Sequence, residues 1–94
     1  LLGAGARWDV ADQDGNWPIH IASSAGSVAC VQALLEAGCP VDVRGQDGYT
    51  PLMSACEKDY VAVVRLLLRA GADVRAVSAD GLTALHVCGA YSAV

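Results

Sequence analysis

The chain has no long apolar run. Hydrophobic residues make up 54 % of its 94 positions, yet no stretch approaches the roughly 18 residues of a membrane span. Arg65 and Arg69 interrupt its most apolar segment, so membrane insertion is not expected. The opening LLGAGARWDV pairs no basic region with an apolar block, which speaks against a secretory leader. A basic stripe is missing too. Six Lys and Arg stand against ten Asp and Glu, a net charge of −4, so nucleic acid is not an expected partner. The mild negative balance is a solubility feature that leans toward basic partners. Cysteine spacing is equally uninformative about chemistry. Cys30, Cys39, Cys56 and Cys88 form no Cys-x-x-Cys pair and no zinc pattern. No metal and no cofactor are expected.

Catalytic signatures are absent as well. Ser23, Ser24, Ser27, Ser54, Ser78 and Ser92 lie in no nucleophile-elbow context. The acids are scattered over turns and helix surfaces, and no glycine-rich phosphate loop occurs. Activated groups converging in a pocket are what an enzyme needs, and nothing here supplies them. The chain is not expected to be an enzyme.

What is present is a repeat. Asp14-Gly15, Asp47-Gly48 and Asp80-Gly81 stand 33 residues apart, and the segments behind them align position by position. Residues 14–46 and 47–79 are full copies, and 80–94 begin another. Residues 1–13 are the end of a partial one, since Leu1, Leu34 and Leu67 share a repeat position. A fixed period of this length predicts a single stacked array over 1–94 rather than one closed core. In register, Cys30 matches Val63, Cys39 matches Ala72, and Cys88 matches Ala22 and Ala55. Thiols at such places act as small hydrophobes and fit a reducing compartment, hence an intracellular, cytoplasmic or nuclear, setting. Cys39 reads as the more exposed one and the candidate for a reactive thiol.

Each copy follows one grammar. Asp-Gly marks a tight turn. A short helix follows, from Pro18 to about Ala25, Pro51 to about Lys58, and Ala84 to about Tyr91. Thr50 and Thr83 stand where a hydroxyl caps the first turn, with Pro51 next at the first helical position. A second helix runs from about Val28 to Ala37 and from about Val61 to Ala70. Its apolar face is read as Val28, Val31, Leu34 and Leu35, and as Val61, Val64, Leu67 and Leu68. Gly5, Gly38 and Gly71 end the second helices. Small residues, Ala22, Ala25 and Ala55, line the first helices, which lets paired helices pack closely.

The segments DGYTPLMSAC and VVRLLLRAGADV make the chain resemble the ankyrin-repeat family. DGNWPIHIAS, DGLTALHVCG and LLEAGCPVDV are weaker versions of the same pattern. The resemblance covers essentially the whole chain. It implies an all-α solenoid of helix-turn-helix pairs joined by β-hairpin-like loops. It also implies that His20 and His86 are structural bridges between the cap position and nearby backbone. Four positions depart from the pattern. Trp17 replaces the capping Thr, leaving two readings open: packing against the neighbouring turn, or an exposed aromatic anchor. Met53 replaces the His. Asp59 takes the place of Gly26 between paired helices, where a positive φ costs about 1–2 kcal/mol. Trp8 takes the place of Val41 and Val74, positions expected to point inward.

The resemblance also implies a function: recognition of another protein or peptide, as a scaffold or adaptor, through the concave side of the stack. By register that side comprises Gln13, Asp14, Asn16, Ser24 and Ala25, then Gln46, Asp47, Tyr49, Glu57 and Lys58, then Ala79, Asp80, Leu82, Ala90 and Tyr91, with the aligned Asp14, Asp47 and Asp80 expected to shape the turns rather than to make contact. Trp17, Tyr49 and Glu57 stand out, because large aromatics supply contact area at low entropic cost. Docking is expected to leave the repeats unchanged. Two other readings exist. The chain is the regulatory or targeting region of a larger enzyme, or Trp17 and Tyr49 form a cage for a modified lysine. Neither end resembles a polar-faced cap, so a longer array is expected.

Overall fold

The structure is a computed structural model that describes residues 8–91, with side chains through Val87. Readings that fall on Leu1, Gly5, Ser92 and the side chains of Cys88, Ala90 and Tyr91 lie outside the described residues. Among the described residues five α-helices form: α1 (Pro18–Ser24), α2 (Val28–Glu36), α3 (Pro51–Glu57), α4 (Val61–Arg69) and α5 (Ala84–Tyr91). Each begins where the grammar places it. Pro18 and Pro51 open α1 and α3 at a position whose N–H has no helical partner anyway. Thr50 Oγ1 accepts the Met53 N–H at 3.3 Å, and Ser27 Oγ accepts the Cys30 N–H at 3.3 Å. These bonds satisfy donors that the helix itself leaves unpaired. Asp59 does adopt positive φ, at 60°, between α3 and α4.

The helices stack in sequence. α1 packs on α2 and α3, α3 on α4 and α5, and α2 on α4. The result measures 41 × 25 × 20 Å. No strand occurs among the described residues. The connecting loops are instead closed by short backbone bonds, the N–H groups of Asp12, Gly45 and Ser78 donating to the carbonyls of Asn16, Tyr49 and Leu82, each at 2.8 Å. Neighbouring loops are tied by the Ala79 N–H to the Asp47 carbonyl at 2.9 Å.

α3 is the centre of the slab. Pro51, Leu52, Met53, Ser54, Ala55 and Cys56 are all buried, because α1, α4 and α5 each cover one side of it. Met53 is fully enclosed, so the residue that replaces a histidine serves as packing.

The apolar faces of the second helices differ from the expected ones. On α4 the buried pair is Val63 and Leu67, whereas Val61 is 52 % and Leu68 43 % exposed. On α2 it is Val31 and Leu34, with Val28 at the surface. The cause is the direction each position faces. Cys30 and Val63 look toward the preceding unit; Val31 and Val64 look toward the following one. Val63 and Val31 therefore meet a helix and are buried. Cys30 and Val64 are half-buried and line apolar hollows at opposite ends of the described stack. Val74 borders the second hollow and is 48 % exposed, against the inward placement expected of it. Trp8 and Val41 do pack on the core. Ala25 caps α1 and is exposed rather than part of the small-residue lining.

Candidate partner-binding face

The loop tips are held in register with one another. Asn16 reaches the next tip, its Nδ2 donating to Gln46 Oε1 at 3.4 Å and its Oδ1 accepting the Gln46 N–H at 3.3 Å. Gln46–Gly48 form one 3-10 turn, in which Asp47 adopts φ 58° and Gly48 φ 71°. This double left-handed step suits Asp and Gly and lifts the Asp47 carboxylate onto the rim. A Cβ on Gly48 would lie 3.0 Å from the Ala79 amide nitrogen, so the two loops meet backbone to backbone. Below the tips, Tyr49 Oη donates to Glu57 Oε2 at 3.5 Å, linking loop to first helix.

These contacts frame a groove of about 190 Å³ lined by Asn16, Ser24, Gln46, Asp47, Tyr49, Ser54 and Glu57. A second hollow of about 330 Å³ continues it along α1, sharing Asn16, Ser24 and Ser54 and adding His20, Ile21 and Ala25. Five of the expected contact residues, Asn16, Ser24, Gln46, Tyr49 and Glu57, thus come together. Gln13, Lys58 and Leu82 are exposed but do not line the groove. Ser54 is the residue that sequence reasoning missed. It lies one helical turn before Glu57 on α3, and that i, i+3 relation is the signal that places it beside Glu57.

Trp17 stands apart from the groove. Its indole N–H donates to the Arg44 carbonyl at 3.0 Å. Its ring meets Trp8 with centroids 6.4 Å apart and planes inclined by 36°. It is half-buried against the core, which matches packing on the neighbouring turn and not an exposed anchor. Tyr49 lines the groove and Trp17 does not, so the two rings do not share a cage.

Both histidines are bound into the loops. His20 Nδ1 accepts the Trp17 N–H at 3.2 Å, and Nε2 donates to the Tyr49 carbonyl at 2.8 Å. One acceptor and one donor require the neutral ring. Burial lowers the His20 pKa from 6.5, against the pull of hydrogen bonds to the Tyr49 and Val43 backbone. His86 Nδ1 pairs with the Thr83 N–H at 3.2 Å and the Thr83 hydroxyl at 2.8 Å. Cys39 is not the exposed thiol expected of it. It is buried, its thiol donates to the Pro40 carbonyl at 3.4 Å, and burial pushes its pKa up to about 11. A thiol at that value carries almost no thiolate at neutral pH and is inert.

Among the described residues, no three of His, Cys, Asp and Glu gather as a metal would need. No described helix is long and apolar enough to cross a membrane. No curated protein matches the chain significantly. The family profile described as Ankyrin repeats (3 copies) matches residues 1–78. With the 33-residue period and the ordered stacking of α1 to α5, the conclusion is direct: this chain belongs to the ankyrin-repeat family.

Proposed function

We propose that this chain is a non-catalytic adaptor that holds a partner protein segment against its loop tips and first helices. Ankyrin repeats are a general protein-interaction module; the specific face is our reading. One observation carries it: the continuous depression in which Asn16, Ser24, Gln46, Tyr49 and Glu57 meet. The wall is built from short helices on a packed core and from loops tied to one another, so docking needs little rearrangement. The groups of altered pKa support a non-catalytic role. His20 has both ring nitrogens engaged, and the Cys39 thiol is buried and protonated. The thiols of Cys30 and Cys39 favour a reducing, intracellular compartment.

The test is photo-crosslinking in cells with a benzophenone amino acid at position 49 or at position 65. Arg65 is exposed on α4, away from the groove. Crosslinks from 49 and none from 65 are expected. Tyr49→Ala is expected to weaken capture of the crosslinked partner about tenfold or more, as for an interface aromatic, with an unchanged helical spectrum. Crosslinks from 65 alone would overturn the reading.

A further inference from the structure

We infer that Arg44 is a positioning residue for the docking face proposed above, an inference that rests on that reading. Its guanidinium ties the loop tip 46–49 to the loop that follows, and so sets the rim that a bound segment meets. Arg44 lines neither part of the depression, so it acts through the tip and not by touching a ligand. Its Nη1 donates to the Gly48 carbonyl at 2.9 Å and to the carbonyl of Val77 in the next loop. Its own carbonyl accepts the Trp17 indole N–H at 3.0 Å. Three successive loops thus meet at one residue. Repeat register does not supply this contact elsewhere. Ala11 and Val77 hold the same repeat position as Arg44, and neither side chain carries a donor.

The tip has a backbone that needs holding. Asp47 and Gly48 both stand in the left-handed region, at φ 58° and 71°, and this conformation is unfavourable for Asp. Such geometry persists where the surroundings over-determine it. Here both carbonyls of the pair are taken. The Asp47 carbonyl accepts the Ala79 N–H at 2.9 Å, and the Gly48 carbonyl accepts Arg44. The Gly48 N–H in turn donates to the Gly45 carbonyl at 3.0 Å. Gln46, Asp47 and Tyr49 line the groove, so the shape that Arg44 holds is the shape a ligand meets. A preset rim loses less freedom on binding. Arginine suits this task better than lysine. Its planar fork presents N–H groups in fixed directions, whereas an ammonium is a point donor on a flexible stem. Arg44 is itself exposed, so its removal opens no cavity in the core.

The experiment compares the full chain with its Arg44→Ala and Arg44→Lys variants. Solvent-exchange NMR reads the Ala79 amide, and a benzophenone amino acid at position 49 reads partner capture in cells. Arg44→Ala is expected to speed Ala79 exchange by about fivefold or more, on the scale of one lost hydrogen bond. Amides of α1 and α2 are expected to keep their protection. Crosslinking from 49 is expected to fall by about threefold or more, since a loosened rim must be ordered again on binding. Arg44→Lys is expected to lie between the two in both readouts. Unchanged Ala79 exchange in Arg44→Ala would overturn the inference, as would lost protection in α1 and α2, which marks global destabilisation. Faster exchange with undiminished crosslinking would leave Arg44 a structural tie only and would also overturn it. Fast exchange with parent-like capture in Arg44→Lys would assign the effect to charge, with the same consequence. Crosslinking in the parent separates the two failures. If the parent crosslinks from 49 and the variants do so equally, the face stands and the role of Arg44 falls; if the parent does not crosslink from 49, both fall.

Discussion

His20 shows how one side chain joins two repeats. Its ring bonds to the start of its own helix at Trp17 and to the Tyr49 carbonyl of the next loop. Gly45 leaves it room: a Cβ there would lie 2.8 Å from the ring. Gly45→Ala must therefore displace the ring, and overpacking of this kind costs about 1–3 kcal/mol. The effect of pH has a definite sign. Burial lowers the folded pKa below the ordinary 6.5, so the unfolded chain binds the proton more readily than the native one. Stability from this group is fully present above about 6.5 and is lost as pH falls from 6.5 toward the lowered folded value. Urea melts between pH 8 and 5 are expected to show this fall, and His20→Gln to flatten it. An unchanged slope in the variant would assign the effect to other groups.

At the scale of a helix, α1 and α3 compare two ways of starting the same element. Thr50 caps α3 through its hydroxyl. Trp17 offers α1 none and packs on Trp8 while donating to Arg44. Restoring the family residue with Trp17→Thr regains a cap worth about 1 kcal/mol. It removes an aromatic pair worth about 0.5–1.5 kcal/mol and a hydrogen bond worth about as much, besides half-buried ring area. The variant is expected to be less stable than the parent by about 1–2 kcal/mol, read from chemical denaturation. A more stable variant would mean that Trp17 is held for binding rather than for packing.

Over the whole molecule, each helix pair meets only its neighbours, so local damage should stay local. Val87 on α5 is 2 % exposed and rests on α3. Val87→Ala is expected to strip hydrogen-exchange protection from α5 and weaken it in α3, while α1 and α2 keep theirs. Equal loss in all five helices would show a single cooperative core instead of a linear stack. The end hollows fit the linear picture, since Cys30 and Val64 are half-open only because no described helix covers them.

Order along the chain was readable before any coordinates. Three Asp-Gly turns, two prolines at helix starts and glycines at helix ends state local backbone preferences, and these act within a few residues. All five helices consequently lie where the pattern puts them. Side-chain direction was not readable in the same way. Cys30 and Val63 are equivalent in repeat register, as are Val31 and Val64, yet one of each pair is covered and the other half-open. Trp17 and Cys39 turned inward, and Ser54 joined Glu57 at the groove floor. Those outcomes depend on which helix or loop lies opposite, and only packing across repeats sets that. Periodicity names a residue's place in its unit; burial and contact belong to the space between units.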